Sequence, residues 1–266
     1  SGRRSTVLVR PVGSPQKRAD AVTSLLETAR IRDLVAKAPA WALAPRVGAG
    51  AADGFVGGVT MAIAPRKLET AQGAHLGAVR QLLQSSCGQL GLSWEDAVGR
   101  LGRLASLGWF APSAGASLDA VNGMAIRSAP AARMLWAELS RAAERHGVGT
   151  ADENCLDLQF GGSTDGGSWA IAEHEAWLLF GSGSRTVRAA LPHAKRRQRS
   201  ARRAGLLSAL KRIGSSRQRV AAIVSVDSRG WAKGLGESSI LHARHSGYVA
   251  VDPHRLRLEF LTQRPH

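Results

Sequence analysis

From Ala176 to Val226 the chain runs for 51 residues without an Asp or Glu, and the same stretch carries 12 Arg and Lys. The whole chain has 36 basic and 20 acidic residues. Outside the stretch the balance is therefore nearly even, 24 basic against 20 acidic. This constrains folding, because six of the cations (Lys195, Arg196, Arg197, Arg199, Arg202 and Arg203) crowd the start of a predicted helix, Lys195 to Ile213. The dipole already makes that end positive. No acid nearby in sequence compensates, and the apolar anchors Leu206, Leu207, Leu210 and Ile213 serve only the second half of the helix. Something negative must approach these guanidinium groups, and a nucleic-acid phosphate backbone is the first partner this predicts.

Composition sets the class. At 266 residues and 44% hydrophobic, the chain is long and apolar enough for one large domain or two ordinary ones. Two cysteines, Cys87 and Cys155, build neither a disulfide framework nor a zinc ribbon, so a reducing compartment is expected. No apolar run reaches the ~18 residues of a membrane span, and no signal-like apolar core opens the sequence. The chain begins at Ser1, read as the mark of a processed or trimmed product. Arg dominates Lys 30 to 6, which fits either a GC-rich coding sequence or forked phosphate contacts.

Periodicity and punctuation predict the elements. Thr6 to Arg10 is a short strand stopped by Pro11, and Ser14-Pro15 opens a helix running to about Ala38. Phe55 to Ala64 is extended. Leu68 to Leu90 is a helix with Leu76, Val79, Leu83 and Cys87 on one face. Ser93-Trp94-Glu95-Asp96 caps a helix that turns Val98, Leu101 and Leu104 inward. Further helices are expected near Ser117 and from Ser128-Ala129-Pro130 to Gly147. After Thr150, strands are expected at 156–160, 169–171, 176–180, 186–191, 219–226 and 256–261, with helices at 195–213 and 231–242. The expected fold is α/β: a palm-like strand-helix segment and linker over 1–65, a helical block over 66–150, and a mixed-sheet domain over 151–266.

Two motifs bring a family into view. Ser163-Thr164-Asp165-Gly166-Gly167-Ser168-Trp169 and Val224-Ser225-Val226-Asp227-Ser228 flank the basic helix. Their order and surroundings resemble the ribonuclease H domain of retroelement reverse transcriptases. More loosely, the first half resembles the connection and thumb region that precedes that domain. The resemblance implies a ribonuclease H-like fold and two catalytic carboxylates, Asp165 and Asp227, holding Mg²⁺ if the site is active. Where the family keeps a Glu in its first helix, this chain has Ser200-Ala201-Arg202-Arg203, and guanidinium beside a metal site repels the metal. The resemblance therefore implies a degenerate scaffold that binds nucleic acid without cleaving it.

The expected nucleic-acid contacts are Arg185, Arg188, Lys195, Arg196, Arg197, Arg199, Arg202, Arg203, Lys211, Arg212, Arg217 and Arg219. Glu173-His174-Glu175 is a solvated turn, or a source of a substitute carboxylate, such as Glu175, to act with Asp165 and Asp227. His242 and His245 read as a surface turn, and Trp231 as a base-stacking platform or core. No metal site is expected otherwise. Together these features predict a non-catalytic RNA-binding component of a ribonucleoprotein, such as an organellar ribosome. Its partners would be structured RNA (ribosomal RNA above all) and neighbouring subunits. The expected location is the mitochondrial or another organellar matrix, or else the nucleus or cytoplasm. The alternatives are an active reverse transcriptase/ribonuclease H fragment that cleaves RNA in RNA–DNA hybrids, and a viral nucleocapsid protein.

Overall fold

The computed structural model describes residues 2–9, 25–43, 55–70, 80–81, 84–85, 87–88, 91–110, 119–147, 149–151, 155–159, 168–181, 183–191, 196–228, 243–252 and 255–263. Its elements are strands β1 (Gly2–Val9) and β2 (Ala29–Arg30), helix α1 (Ile31–Lys37), a 3-10 turn (Ala40–Ala42), β3 (Phe55–Ala62), α2 (Lys67–Thr70), α3 (Trp94–Arg100), β4 (Leu101–Phe110), β5 (Asp119–Ile126), α4 (Ala129–Arg145), β6 (Gly149–Ala151), β7 (Leu156–Gln159), β8 (Ser168–His174), β9 (Trp177–Gly181), α5 (Ser184–Ala190), α6 (Arg196–Lys211), β10 (Arg219–Val220), β11 (Ala222–Asp227), β12 (Arg244–Asp252) and β13 (Arg255–Gln263).

Mixed α/β architecture is what the sequence predicts, but its arrangement differs from the expected one. One 11-stranded sheet runs in the order β1-β13-β12-β11-β3-β4-β5-β9-β8-β7-β6. Every pairing described in it is antiparallel. Three hairpin runs (β3-β4-β5, β6 to β9, and β11-β12-β13) stand side by side, and β1 closes one edge against β13. Strands from all three expected segments thus share one sheet.

Alternation along the strands sets two helical layers. On β8, Ala170 and Ala172 pack in a cluster with Trp41, Trp177, Leu179 and Val187 of α5. Between them, Ile171 faces the opposite way and joins Leu135, Leu139 and Ala142 of α4. The α5 face also carries α1 and α6: Ile31, Leu34, Leu206 and Leu210 close over Ile223, Tyr248 and Leu261.

Local signals explain the helices that were foreseen. The Ser93 hydroxyl accepts the Asp96 N–H at 3.3 Å and opens α3. Ser128 accepts the Ala131 N–H at 3.3 Å and opens α4, with Pro130 in its first turn. Gly147, at φ 62, ends α4 in a conformation that suits glycine.

Four expectations fail for tertiary reasons. The segment read as the inward face of a helix, Leu101 and Leu104, is the start of β4, and the helix expected near Ser117 gives way to β5. Leu101, Leu104 and Leu107 mimic helical spacing, but here Leu104 and Leu107 alternate across a strand whose Gly108 meets Trp41. The strand expected at 186–191 is α5. The surface turn expected around His245 is the start of β12, which pairs on both sides. The expected helix 231–242, the helix start at Ser14-Pro15 and most of the expected helix 68–90 lie outside the described residues.

Trp41 organises the centre of the sheet. Its ring crosses β4 and β5 where both strands carry glycine, and it meets Trp177 edge-on at 5.9 Å between centroids. A methyl on Gly123 would stand 2.5 Å from the Trp41 ring. Gly123→Ala is therefore expected to cost about 1–3 kcal/mol by overpacking. Gly99→Ala, in α3 with nothing within 4 Å, should stabilise by up to about 1 kcal/mol. Thermal melts of the two variants check this, and equal shifts of one sign would refute the packing assignment.

Candidate nucleic-acid interface

The acid-free stretch does not form one patch. Arg202 is 5% exposed, and its guanidinium donates from Nη1 to the Ala40 carbonyl at 3.2 Å. Arg203 donates from Nε and Nη2 to the Ala38 carbonyl, at 3.2 and 2.6 Å. Both were expected to meet phosphate. Instead they serve carbonyls at the C-terminal end of α1, where the dipole is negative. Arg185 and Arg188 are exposed on α5. Lys211, Arg212, Arg217 and Arg219 are exposed at and beyond the far end of α6. Arg196, Arg197 and Arg199 belong to α6 by backbone, but their side chains, like Lys195 as a whole, lie outside the described residues.

Asp165 and Trp231 also lie outside the described residues. Asp227 ends β11, 3% exposed and directly across the ladder from Arg244. The Arg244 side chain reaches under α6, with Nη1 3.9 Å from where a Cβ on Gly205 would stand. A buried carboxylate opposite a guanidinium is a poor seat for Mg²⁺. Glu173, His174 and Glu175 end β8 and begin its hairpin, and four strands (β3, β4, β5 and β9) separate β8 from β11. At about 4.8 Å per strand that is roughly 24 Å across the sheet. Glu175 therefore does not stand in beside Asp227. Among the described residues, no three His, Cys, Asp or Glu side chains gather as metal ligands would.

Burial and neighbouring charges act on Glu173 and His245. Burial raises the Glu173 carboxyl above its ordinary range, assisted by Glu175 and opposed by Arg133 on α4. Burial also depresses the His245 imidazole, while Asp227 partly opposes it. The His245 Nδ1 lies 3.2 Å from the Thr262 hydroxyl.

The fold does assemble cations, at a site the sequence did not mark. A cleft of about 1210 Å³ opens beside α1. Arg30 and Lys37 line it at the two ends of α1, Arg66 and Lys67 after β3, Arg103 on β4, Arg127 after β5, and Arg219 on β10. Against these seven cations stand two acids, Glu27 and Asp33. Arg219 is fixed by donating to the Thr28 hydroxyl and carbonyl. Arg103, with a side chain 82% exposed, stands 3.9 Å from Glu27. Arg30, Lys37, Arg66, Lys67 and Arg127 make no ion pair to a carboxylate among the described residues. The contrast is a second groove of about 670 Å³ between α3 and α4. There Asp96, Glu138 and Glu144 balance Arg100, Arg141 and Arg145, and Arg100 pairs with Glu138 at 2.5 Å.

Of the seven cations, only Arg219 also belongs to the acid-free stretch. The other six cations are scattered from position 30 to 127, so no linear pattern announces them. No family model, curated protein or solved structure matches the chain.

Two predictions follow from these placements. Arg202→Met removes the charged donor to the buried Ala40 carbonyl and leaves it only the Leu43 N–H, so it should cost about 1–3 kcal/mol of stability. The salt dependence of RNA binding should not change, because no phosphate contact is lost. A reduced salt slope in Arg202→Met at full folding would refute the structural role. For His245, a depressed folded pKa means the unfolded chain takes up the proton first. Stability is therefore full above the ordinary imidazole value, about 6.5, and is lost as pH falls through it. Melting temperatures between pH 8 and 5 should drop for the native chain and drop less for His245→Gln. Parallel curves would refute this.

Proposed function

We propose that this protein binds structured RNA through the basic cleft and serves as a non-catalytic component of a ribonucleoprotein. The observation that carries the reading is the convergence of seven cations and two acids on one concave surface, in a chain of formal charge +16. Seven cations held that close with only two acids repel one another, and a polyanion relieves the repulsion. Charge alone does not choose RNA over DNA. The choice rests on the likeness of the Asp165 and Asp227 motifs to a ribonuclease H that has lost its second carboxylate. The expected ribonuclease H-like sheet is mixed, and the described pairings are antiparallel, so charge carries more of the argument than fold likeness. An organellar ribosome remains the host particle we favour.

The non-catalytic part draws support from Asp227, buried across from Arg244 and far across the sheet from Glu175. Among the described residues no helix is long and apolar enough to cross a membrane.

The test is fluorescence anisotropy with a folded RNA across a salt series. Affinity should fall steeply with salt, and Lys37→Ala/Arg103→Ala/Arg127→Ala should reduce the log–log slope by roughly 2–3. Arg185→Ala/Arg188→Ala should reduce it less. Salt-independent binding, or none, would sink the proposal. Mg²⁺-dependent cleavage of an RNA–DNA hybrid that is lost in Asp227→Asn would replace it with the enzyme reading.

A further inference from the structure

We propose that the cleft takes an unpaired stretch of the RNA, with bases turned inward and phosphates on the rim. This rests on the RNA reading above and specifies the form of RNA. The cleft exceeds the ~300–1,000 Å³ that encloses a small ligand, so its volume suits a run of a polymer. Its lining is also part apolar. The apolar part, taken as the floor, is partly exposed Ala29, Leu101, Leu104 and Ala125, with Ala36 exposed on the α1 wall. Buried Trp177 and Leu34 line the cleft too.

Duplex RNA has no use for such a floor. Its bases are stacked on one another, its major groove is too narrow for side chains to enter, and it offers mainly phosphates and hydroxyls. A flat basic surface would serve it as well as a cleft does. An unpaired base presents an apolar π-face that the floor can desolvate. The Arg guanidinium planes at the rim can stack on bases as well as pair with phosphate. Arg103, extended into solvent on the β4 side, and Lys37, at the end of α1, supply charge on different walls of the cleft. An acidic peptide with apolar side chains is the competing occupant.

The experiment compares three fluorescent probes at one fixed salt concentration: a 12-nucleotide oligouridine, a 12-base-pair blunt RNA duplex, and a 12-residue polyglutamate. The oligouridine should bind the native chain at least about tenfold more tightly than either other probe, as stacking on several bases allows. Ala36→Glu, at an exposed helical position, should weaken oligouridine binding about tenfold, and Ala36→Gln should hold it within about threefold. A thermal melt verifies that both variants fold. Arg103→Ala provides a second route to the same loss from a surface strand position. Duplex binding as tight as oligouridine binding would overturn the unpaired-strand inference and leave the RNA reading standing. Polyglutamate binding at or above the oligouridine level would overturn it in favour of an acidic peptide. Binding of neither RNA would overturn both.

Discussion

Everything on the α1 face depends on a short stretch of backbone that crosses the sheet without joining it. Residues 38–43 are buried throughout, and their only regular structure is the 3-10 turn Ala40–Ala42. Buried carbonyls need donors, and this backbone supplies only some: Ala42 N–H reaches the Pro39 oxygen and Leu43 N–H the Ala40 oxygen. Further donors come from α6: Arg203 forks onto the Ala38 oxygen, and Arg202 reaches the Ala40 oxygen. This latch joins α1 to α6 and sets Trp41 down on the glycines of β4 and β5. It also resolves the electrostatic conflict at the start of α6. Two of its cations rest on the partial negative charge at the end of another helix, so that part of the charge needs no external anion.

The positive charge is therefore divided by the fold into two uses. Arg202 and Arg203 are structural and lie inward. The cations that face solvent together are mostly ones the sequence left unremarked, because 24 basic and 20 acidic residues outside the acid-free stretch look balanced. Balance along the chain is not balance in space. The antiparallel order places the end of β3, the start of β4, the end of β5 and the ends of α1 around one opening, and each contributes one or two cations. The acids balance cations elsewhere, as in the groove between α3 and α4, where Glu138 holds Arg100.

What the sequence made legible follows the range of the physics. Ser93 and Ser128 cap helices through bonds spanning three residues, so their signals are local and were readable. Strands β1, β3, β11 and β13 carry enough alternation or β-branching to be recognised from their own residues. β4 and β5 do not, because what holds them is remote. Gly108 and Gly123 are there for Trp41, 67 and 82 positions earlier. α5 replaces the expected strand for the same reason: β-branched Thr186 and Val187 favour a strand locally, but burial of Val187 and Ala190, three apart, on one side suits a helix. The candidate site was the least legible part, since its seven cations come from five separate places in the fold.

The latch and the cleft meet in α1. One side of this seven-residue helix, Ile31, Leu34 and Val35, is packed into the core under α6. Its flank, Asp33, Ala36 and Lys37, forms a wall of the cleft. A helix this short has little stability of its own, so that wall stands because tertiary contacts hold it. Arg202 and Arg203 grip the backbone immediately after it, at Ala38 and Ala40. The two arginines that first pointed to nucleic acid thus act one step removed from it. In this fold they hold backbone carbonyls, and they fix the helix whose outer side presents Lys37 to the opening. Positive charge here does its work at two depths, and the deeper pair determines where the shallower set can converge.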